Sequence, residues 1–203
     1  MTNWQPPFDV EFLAGVDEVG RGPLAGDVVA AAVILPSNHQ ILGLADSKAI
    51  SVYQRETLYK EITEAAICYS VARATVEEID RFNILQSSLM AMRRAVQGLQ
   101  IQPEYVAVDG NHLPKWEYLS ESVIKGDSKV EAISAASILA KVVRDSEMLE
   151  MDTKFPGYGF SSNKGYPTAQ HLEALERQGP CPIHRRSFSP LRDKLQPYQS
   201  PLL

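Results

Sequence analysis

Cysteine is scarce in this 203-residue chain: Cys68 and Cys181 stand 113 positions apart. Two such thiols make no disulfide framework, and no Cys-x-x-Cys or Cys/His cluster marks a structural zinc site. Histidine is equally sparse, with His39, His112, His171 and His184 scattered along the chain. Long hydrophobic runs are missing. The longest, Val28 to Leu35, has eight residues, against the roughly 20 that a membrane helix needs. The first ten residues lack the basic start and apolar core of a secretory signal, so a soluble, cytoplasmic protein with no membrane partner is expected. Excess positive charge is absent too: 20 Lys+Arg face 25 Asp+Glu, a net charge of −5. Such a protein does not coat nucleic acid through bulk charge. Any polyanion partner requires a local basic surface.

What is present is ordinary globular composition, 44% apolar and 22% charged, which excludes a disordered or collagen-like chain. The length suits one domain over 1–203, with a core at about 13–150, a helical extension at about 151–195 and a flexible tail at 196–203. Leu13 to Val19 and Val28 to Leu35 read as neighbouring strands joined by the turn Gly20-Arg21-Gly22-Pro23. The second strand is apolar on both faces, as a central strand is. Ser51 precedes a helix to about Ala66, and Cys68 to Val76 reads as a third strand, which leaves Cys68 buried and inert. Leu85, Leu89, Met92, Val96 and Leu99 make one apolar helical stripe. Short strands follow at Tyr105 to Val108 and Glu121 to Ile124. Ser128 and Glu131 have the spacing of a capping box, opening a helix to about Glu150 whose small residues Ala132, Ser134, Ala135, Ala136 and Ser137 allow close approach to the sheet. A last helix runs from about Thr168 to Gln178 and stops at Gly179. Three strands and then helix–strand alternation make an α/β fold with a mixed five-stranded sheet flanked by helices.

Four acids fall at strand ends: Asp17 and Glu18 close the first strand, Asp109 the fourth, and Asp127 follows the fifth. Carboxylates gathered at such ends without Cys or His suit hard divalent cations such as Mg²⁺ or Mn²⁺. Each acid also has an ordinary reading. Asp109 sits in a common Asp-Gly-Asn turn, and Asp127 suits the positive end of the next helix. Asp17 and Glu18 are adjacent, and strand alternation sends them to opposite faces; either the strand bends, or one acts through its backbone or indirectly. Gly20-Arg21-Gly22 is a tight turn or a place where backbone approaches a phosphate or sugar, with Arg21 supplying charge.

These residues carry a family resemblance. The run from Gly15 through Asp17, Glu18, Gly20, Arg21 and Gly22 to Gly26 resembles the opening signature of bacterial ribonuclease HII. The likeness continues through Asp46-Ser47-Lys48, Glu78-Ile79-Asp80, Asn83-Ile84-Leu85, Val108-Asp109-Gly110-Asn111 and Lys125-Gly126-Asp127. It resumes at Ile133 to Lys141, Lys164-Gly165-Tyr166-Pro167-Thr168 and His184-Arg185-Arg186-Ser187-Phe188. The resemblance implies a ribonuclease H-like fold. It also implies a metal-dependent endoribonuclease that cuts the RNA strand of RNA–DNA hybrids, and on the 5′ side of single ribonucleotides embedded in duplex DNA, during ribonucleotide removal. By the same resemblance Asp17, Glu18, Asp109 and Asp127 are catalytic, metal-binding acids. Gly20, Arg21 and Gly22 read the ribose 2′-hydroxyl, Tyr166 stands at the DNA side of the junction, and Lys48 contacts a strand. Ala49-Ile50 after Lys48 departs from the lysine and leucine of many relatives. Two-metal hydrolysis leaving 3′-hydroxyl and 5′-phosphate ends is the implied chemistry.

The missing basic surface is sought between Lys154 and Lys194, where seven Lys+Arg stand against three Asp+Glu. Arg185, Arg186, Lys164 and Arg192 are its candidates, and His184 is a phosphate contact or a core hydrogen-bonder. The terminal Gln199-Ser200-Pro201-Leu202-Leu203 resembles peptides that dock on bacterial sliding clamps, and equally suits a plain tail. Ribonuclease HIII is the second enzymatic reading, although those relatives carry a sizeable N-terminal domain and only about 12 residues precede the first strand here. A non-catalytic nucleic-acid-binding module is the third, and it is expected to have lost an acid.

Overall fold

The computed structural model describes residues 4–44, 47 and 50–195. Its five-stranded sheet is built from β1 (Leu13–Val19), β2 (Val28–Ile34), β3 (Cys68–Ala74), β4 (Tyr105–Asp109) and β5 (Ser120–Val123). Their spatial order is β3-β2-β1-β4-β5. β1 and β2 pair antiparallel, as do β2 and β3, while β4 lies parallel to both β1 and β5. Three meandering strands therefore meet a parallel pair at β1. The parallel pairing aligns Val16 with Val108, so the strands run side by side towards Asp17 and Asp109.

Three helices, α1 (Val52–Ala65), α2 (Val76–Gln97) and α3 (Glu131–Lys154), cover the two faces, and α4 (Phe160–Asn163), α5 (Ala169–Gln178) and α6 (Leu191–Leu195) follow them. On one face Met92, Ala95 and Val96 of α2 pack on Val16, Val28, Ala30 and Val108. On the other, Leu58 and Ile62 of α1 join Ala135, Ile138 and Leu139 of α3 over Val29, Ala31 and Val33. β2, buried along its whole length, is the central strand that its apolar run predicts. Beyond the sheet, Leu24, Met148, Tyr158, Phe160 and Leu175 form a separate small core.

Local signals explain most boundaries. Ser51 caps α1 reciprocally with Gln54, and Thr168 and Gly179 bracket α5 as the sequence predicts. α2 begins earlier than its apolar stripe, at a reciprocal cap of Thr75 with Glu78. It breaks at Asn83 (φ 69°), whose side-chain oxygen accepts from the N–H groups of Leu85 and Gln86 and restarts the helix at the stripe. The expected capping box at Ser128 does not form. Gly126–Ser128 is a 3-10 turn entered from Lys125 at φ 56°, Ser128 donates to the Lys125 carbonyl, and α3 starts three residues later after Val130. β3 ends at Ala74 because Thr75 is taken by that α2 cap.

One glycine sets the position of α3. A Cβ on Gly15 would lie 2.0 Å from the Ala132 carbonyl carbon, so the helix rests directly on the β1 backbone. Five helical residues rise about 7.5 Å and two strand residues about 6.6 Å. Contact at Gly15 and Ala132 therefore brings Ser137 beside Asp17.

Candidate active site

Asp17 is 7% exposed. Its Oδ1 accepts from the Glu18 N–H at 2.7 Å, and Ser137 supplies a second, side-chain bond. Ser137 is itself bonded to Ser47 at 2.8 Å. Burial above all, then repulsion from Glu18 and Asp109, holds the Asp17 carboxyl well above the ordinary carboxylate range. Glu18 is raised as well, by burial first; the neighbouring Arg21 guanidinium opposes the shift and Asp109 adds to it. The Arg21 Nη1 stands 3.2 Å from Glu18 Oε1. β1 keeps its regular register through Val19, so there is no bend. Val16 and Val19 fall in opposite cores, and Asp17 turns to α3 while Glu18 meets Arg21. Asp109, at the end of the neighbouring strand, acts electrostatically on both.

Asp109 accepts the Gly126 N–H at 2.7 Å. A Cβ at Gly126 would lie 2.6 Å from Ile133 Cδ1 and 3.3 Å from Asp109 Oδ1, so a larger residue there would push the Ile133 side chain aside. The Gly126–Asp109 bond draws the 3-10 turn, with Asp127 in it, towards the end of β4. Asp127 thus belongs to a turn of its own and not to the start of α3. Among the described residues, no group of three or more His, Cys, Asp and Glu side chains stands arranged to hold a metal ion. Asp17, Glu18 and Asp109 are each bonded to a group of the chain itself: Ser137, Arg21 and the Gly126 amide. In kind the donor set fits a hard divalent cation, since it is all oxygen and its burial and mutual repulsion are what such a cation relieves.

The glycine turn is no tight hairpin; residues 20–27 form a loop that rises beside this acidic end. Arg21 and Gly22 are exposed, and a Cβ on Gly22 would lie 3.3 Å from the Tyr166 ring. Tyr166 is 39% exposed. Its carbonyl accepts from His171 Nδ1 at 2.8 Å, so the ring is presented outward from an anchored backbone. Sequence positions 22 and 166 meet here. Lys48 and the Gln199–Leu203 peptide lie outside the described residues.

The basic segment divides. Arg185 is fully buried and donates only into the glycine loop, to carbonyls including Gly20, Pro23 and Gly26; it is no part of a phosphate-facing surface, because its guanidinium is consumed inside. Arg186 is exposed, Arg192 pairs with Asp193 at 3.1 Å, and Lys164 Nζ donates to the Ser161 carbonyl at 2.6 Å. His184 is a core residue, 3.0 Å from His171 and bonded by the Cys181 N–H. Asp80 accepts from the backbone of Arg186 and Ser187, uniting two motifs of the signature. The residue that sequence reading missed is Arg144, fully buried on α3, which donates to the Ala25 and Asp27 carbonyls. Nothing in its own surroundings marks it, because charged positions on a long helix are ordinarily solvated. A cavity of about 660 Å³ lined by Trp4, Phe8, Leu13, Pro36 and Lys129 opens at the opposite end of β1, away from the acids.

The model of the family Ribonuclease HII matches residues 14–190. A ribonuclease HII of Paracidovorax citrulli is 56% identical over 193 residues, covering 95% of this chain and 79% of that protein. Among solved structures, ribonuclease H2 of Pyrococcus horikoshii superposes with a TM-score of 0.75 at 31% identity, covering 89% of this chain and 95% of the other. The ribonuclease HII of Archaeoglobus fulgidus, solved in complex with PCNA, gives 0.68 at 26% identity over 86% of this chain and 93% of that one. The five-stranded sheet, the acids at its carboxyl end and these likenesses agree: the chain belongs to the ribonuclease HII family, and is an endoribonuclease of the ribonuclease H type 2 kind.

Proposed function

We propose that the protein hydrolyses the RNA strand of RNA–DNA hybrids and cuts on the 5′ side of single ribonucleotides in duplex DNA. Asp17, Glu18, Asp109 and Asp127 are its catalytic, metal-binding acids. The observation that carries this reading is geometric: Asp17 and Glu18 on β1 stand beside Asp109 at the end of the parallel β4, where Val16 pairs with Val108, close enough for Asp109 to repel both charges. Like charges crowded beneath a loop are costly unless a cation joins them. Asp17, Glu18, Asp109 and Asp127 would hold Mg²⁺ or Mn²⁺, which would supply Lewis acidity towards the attacking water and the charge developing on the leaving 3′-oxygen.

The chain's own groups do the rest. Ser137 and the Glu18 N–H hold Asp17, and the Gly126 N–H holds Asp109. The Gly20–Gly22 backbone reads the 2′-hydroxyl; a site built to bond that group rejects the deoxy sugar, which leaves it unpaired. The half-exposed Arg21 guanidinium meets a phosphate, and the Tyr166 ring stacks at the junction. Arg186, Lys164 and Lys48 follow the backbone without reading sequence. A duplex series tests the reading. With Mg²⁺, duplexes holding one or four ribonucleotides are cut to 3′-hydroxyl and 5′-phosphate ends, and an all-DNA duplex is untouched; cleavage of the last, or of none, refutes it.

The tail adds a partner. Gln199-Ser200-Pro201-Leu202-Leu203 resembles a clamp-docking peptide, and the Archaeoglobus fulgidus relative forms a complex with PCNA. Deleting 199–203 should weaken binding to a bacterial sliding clamp; unchanged affinity refutes docking.

A further inference from the structure

Two guanidiniums lie beneath the glycine loop, Arg144 from α3 and Arg185 from the segment before α6, with relative exposures of 1% and 0%. Arg185 Nη2 donates to the Gly20 and Gly26 carbonyls, each at 2.6 Å. Its Nη1 donates to Arg21 at 3.0 Å and Pro23 at 2.7 Å, and its Nε to Gly26 at 2.9 Å. Arg144 Nη2 takes the Ala25 carbonyl at 3.0 Å and its Nε that of Asp27 at 3.1 Å. Its Nη1 donates to the Lys164 carbonyl at 3.0 Å, two residues before Tyr166. The loop is tied to the same turn again by Leu24 N–H to the Gly165 carbonyl at 2.8 Å.

Burying two cations against neutral carbonyls is expensive, and burial pushes the Arg185 guanidinium down to about 9. The geometry gives that cost a use. A trans peptide is planar, with the carbonyl of one residue opposed to the N–H of the next. Gly20 and Arg21 carbonyls drawn inward to Arg185 turn the N–H groups of Arg21 and Gly22 the other way, at exposed positions beside the Tyr166 ring. Glycine-rich backbone does not hold such an orientation by itself. A planar five-donor fork does, and a lysine ammonium does not.

We propose that Arg144 and Arg185 are positioning residues for sugar discrimination: they aim the Arg21 and Gly22 amides outward and fix their distance from Tyr166, so the two halves of the ribonucleotide reader move as one body. The inference rests on the reading of Gly20–Gly22 and Tyr166 given above, and adds which residues make that reader rigid.

The test replaces each arginine by lysine, Arg144→Lys and Arg185→Lys, keeping charge and losing the fork. Affinity in EDTA is measured for a duplex with one ribonucleotide and for its all-DNA twin, well below each variant's own melting temperature. In either variant the ribonucleotide preference falls about tenfold, as for one lost hydrogen bond, while all-DNA affinity changes less than twofold. Cleavage of a lone ribonucleotide falls more than cleavage of a four-ribonucleotide duplex. A folded variant with unchanged preference, or equal losses on both duplexes, overturns the proposal. If the wild type itself shows no preference, the underlying reading of the loop fails instead. Should neither variant fold, backbone order parameters of the wild-type protein decide. Values near 0.85 at Arg21 and Gly22 bear the proposal out, and values below about 0.6 overturn it.

Discussion

The carboxyl end of β1 and the loop that follows it are only a few residues apart, yet they balance charge in opposite ways. At Asp17, Glu18 and Asp109, like charges crowd together and the chain supplies each with little more than one partner. From Gly20 to Asp27, carbonyl after carbonyl is met by a buried guanidinium. The first region is left for something from outside to complete; the second is complete in itself. On the function proposed above, chemistry concentrates where the chain leaves electrostatics unresolved, and rigidity where it resolves them.

Neutralising the first region should separate activity from stability most widely. Asp17→Asn or Asp109→Asn is expected to lower cleavage by about 10³-fold, the several kcal/mol that cation-assisted charge stabilisation supplies. Melting temperature should hold or rise, since burial and repulsion already disfavour the Asp17 charge; a matching loss of stability would erase the contrast. The completed region should do the reverse. Arg185→Met strands buried carbonyls at about 1–3 kcal/mol each, so chemical denaturation should show a loss of at least about 3 kcal/mol, and a loss under about 1 kcal/mol would contradict the clamp.

The completed side should also be acid-sensitive. Burial and the neighbouring His171 hold His184 down to about 4, so the unfolded chain takes up its proton first as pH falls. Stability should drop between about pH 6.5 and 4, by on the order of 2 kcal/mol from this residue. In His184→Gln that stretch of the pH–stability curve should flatten; an unaltered slope would place the proton elsewhere. Smaller effects belong to the exposed residues that serve neither balance. Tyr166→Ala should lower cutting at a lone ribonucleotide about tenfold, the worth of one stacking contact, with little change on long hybrids; equal losses on both would remove its junction role. Arg21→Ala should cost under about 0.5 kcal/mol of stability and raise KM for hybrid a few-fold, and an unchanged KM would leave Arg21 a mere partner of Glu18.

The sequence was readable where chemistry repeats along the chain and opaque where it depends on direction. Strands β1, β2 and β4, the caps at Ser51 and Thr168 and the placing of Asp17, Glu18 and Asp109 at strand ends all follow from periodicity and local polarity. The capping box at Ser128 failed because its spacing is equally that of a 3-10 turn, selected here by the left-handed Lys125 and the bond from Gly126 to Asp109. The first seven residues of α2 were hidden because Asn83 interrupts the apolar period. Arg185 read as a phosphate contact and Arg144 did not stand out, since a guanidinium looks alike in sequence whether it faces solvent or a buried carbonyl. Only the fold, bringing α3 and the segment at 184–186 under one loop, tells which.

Calorimetric unfolding of the wild type, Asp17→Asn and Asp109→Asn across a Mn²⁺ titration tests most directly whether the acidic end is completed by cations. The account predicts a wild-type melting temperature that climbs with Mn²⁺, about 2.7 kcal/mol of stabilisation at a hundred times the dissociation constant, and a shift largely lost in both variants. A wild type indifferent to Mn²⁺, or variants that climb as steeply, would contradict it.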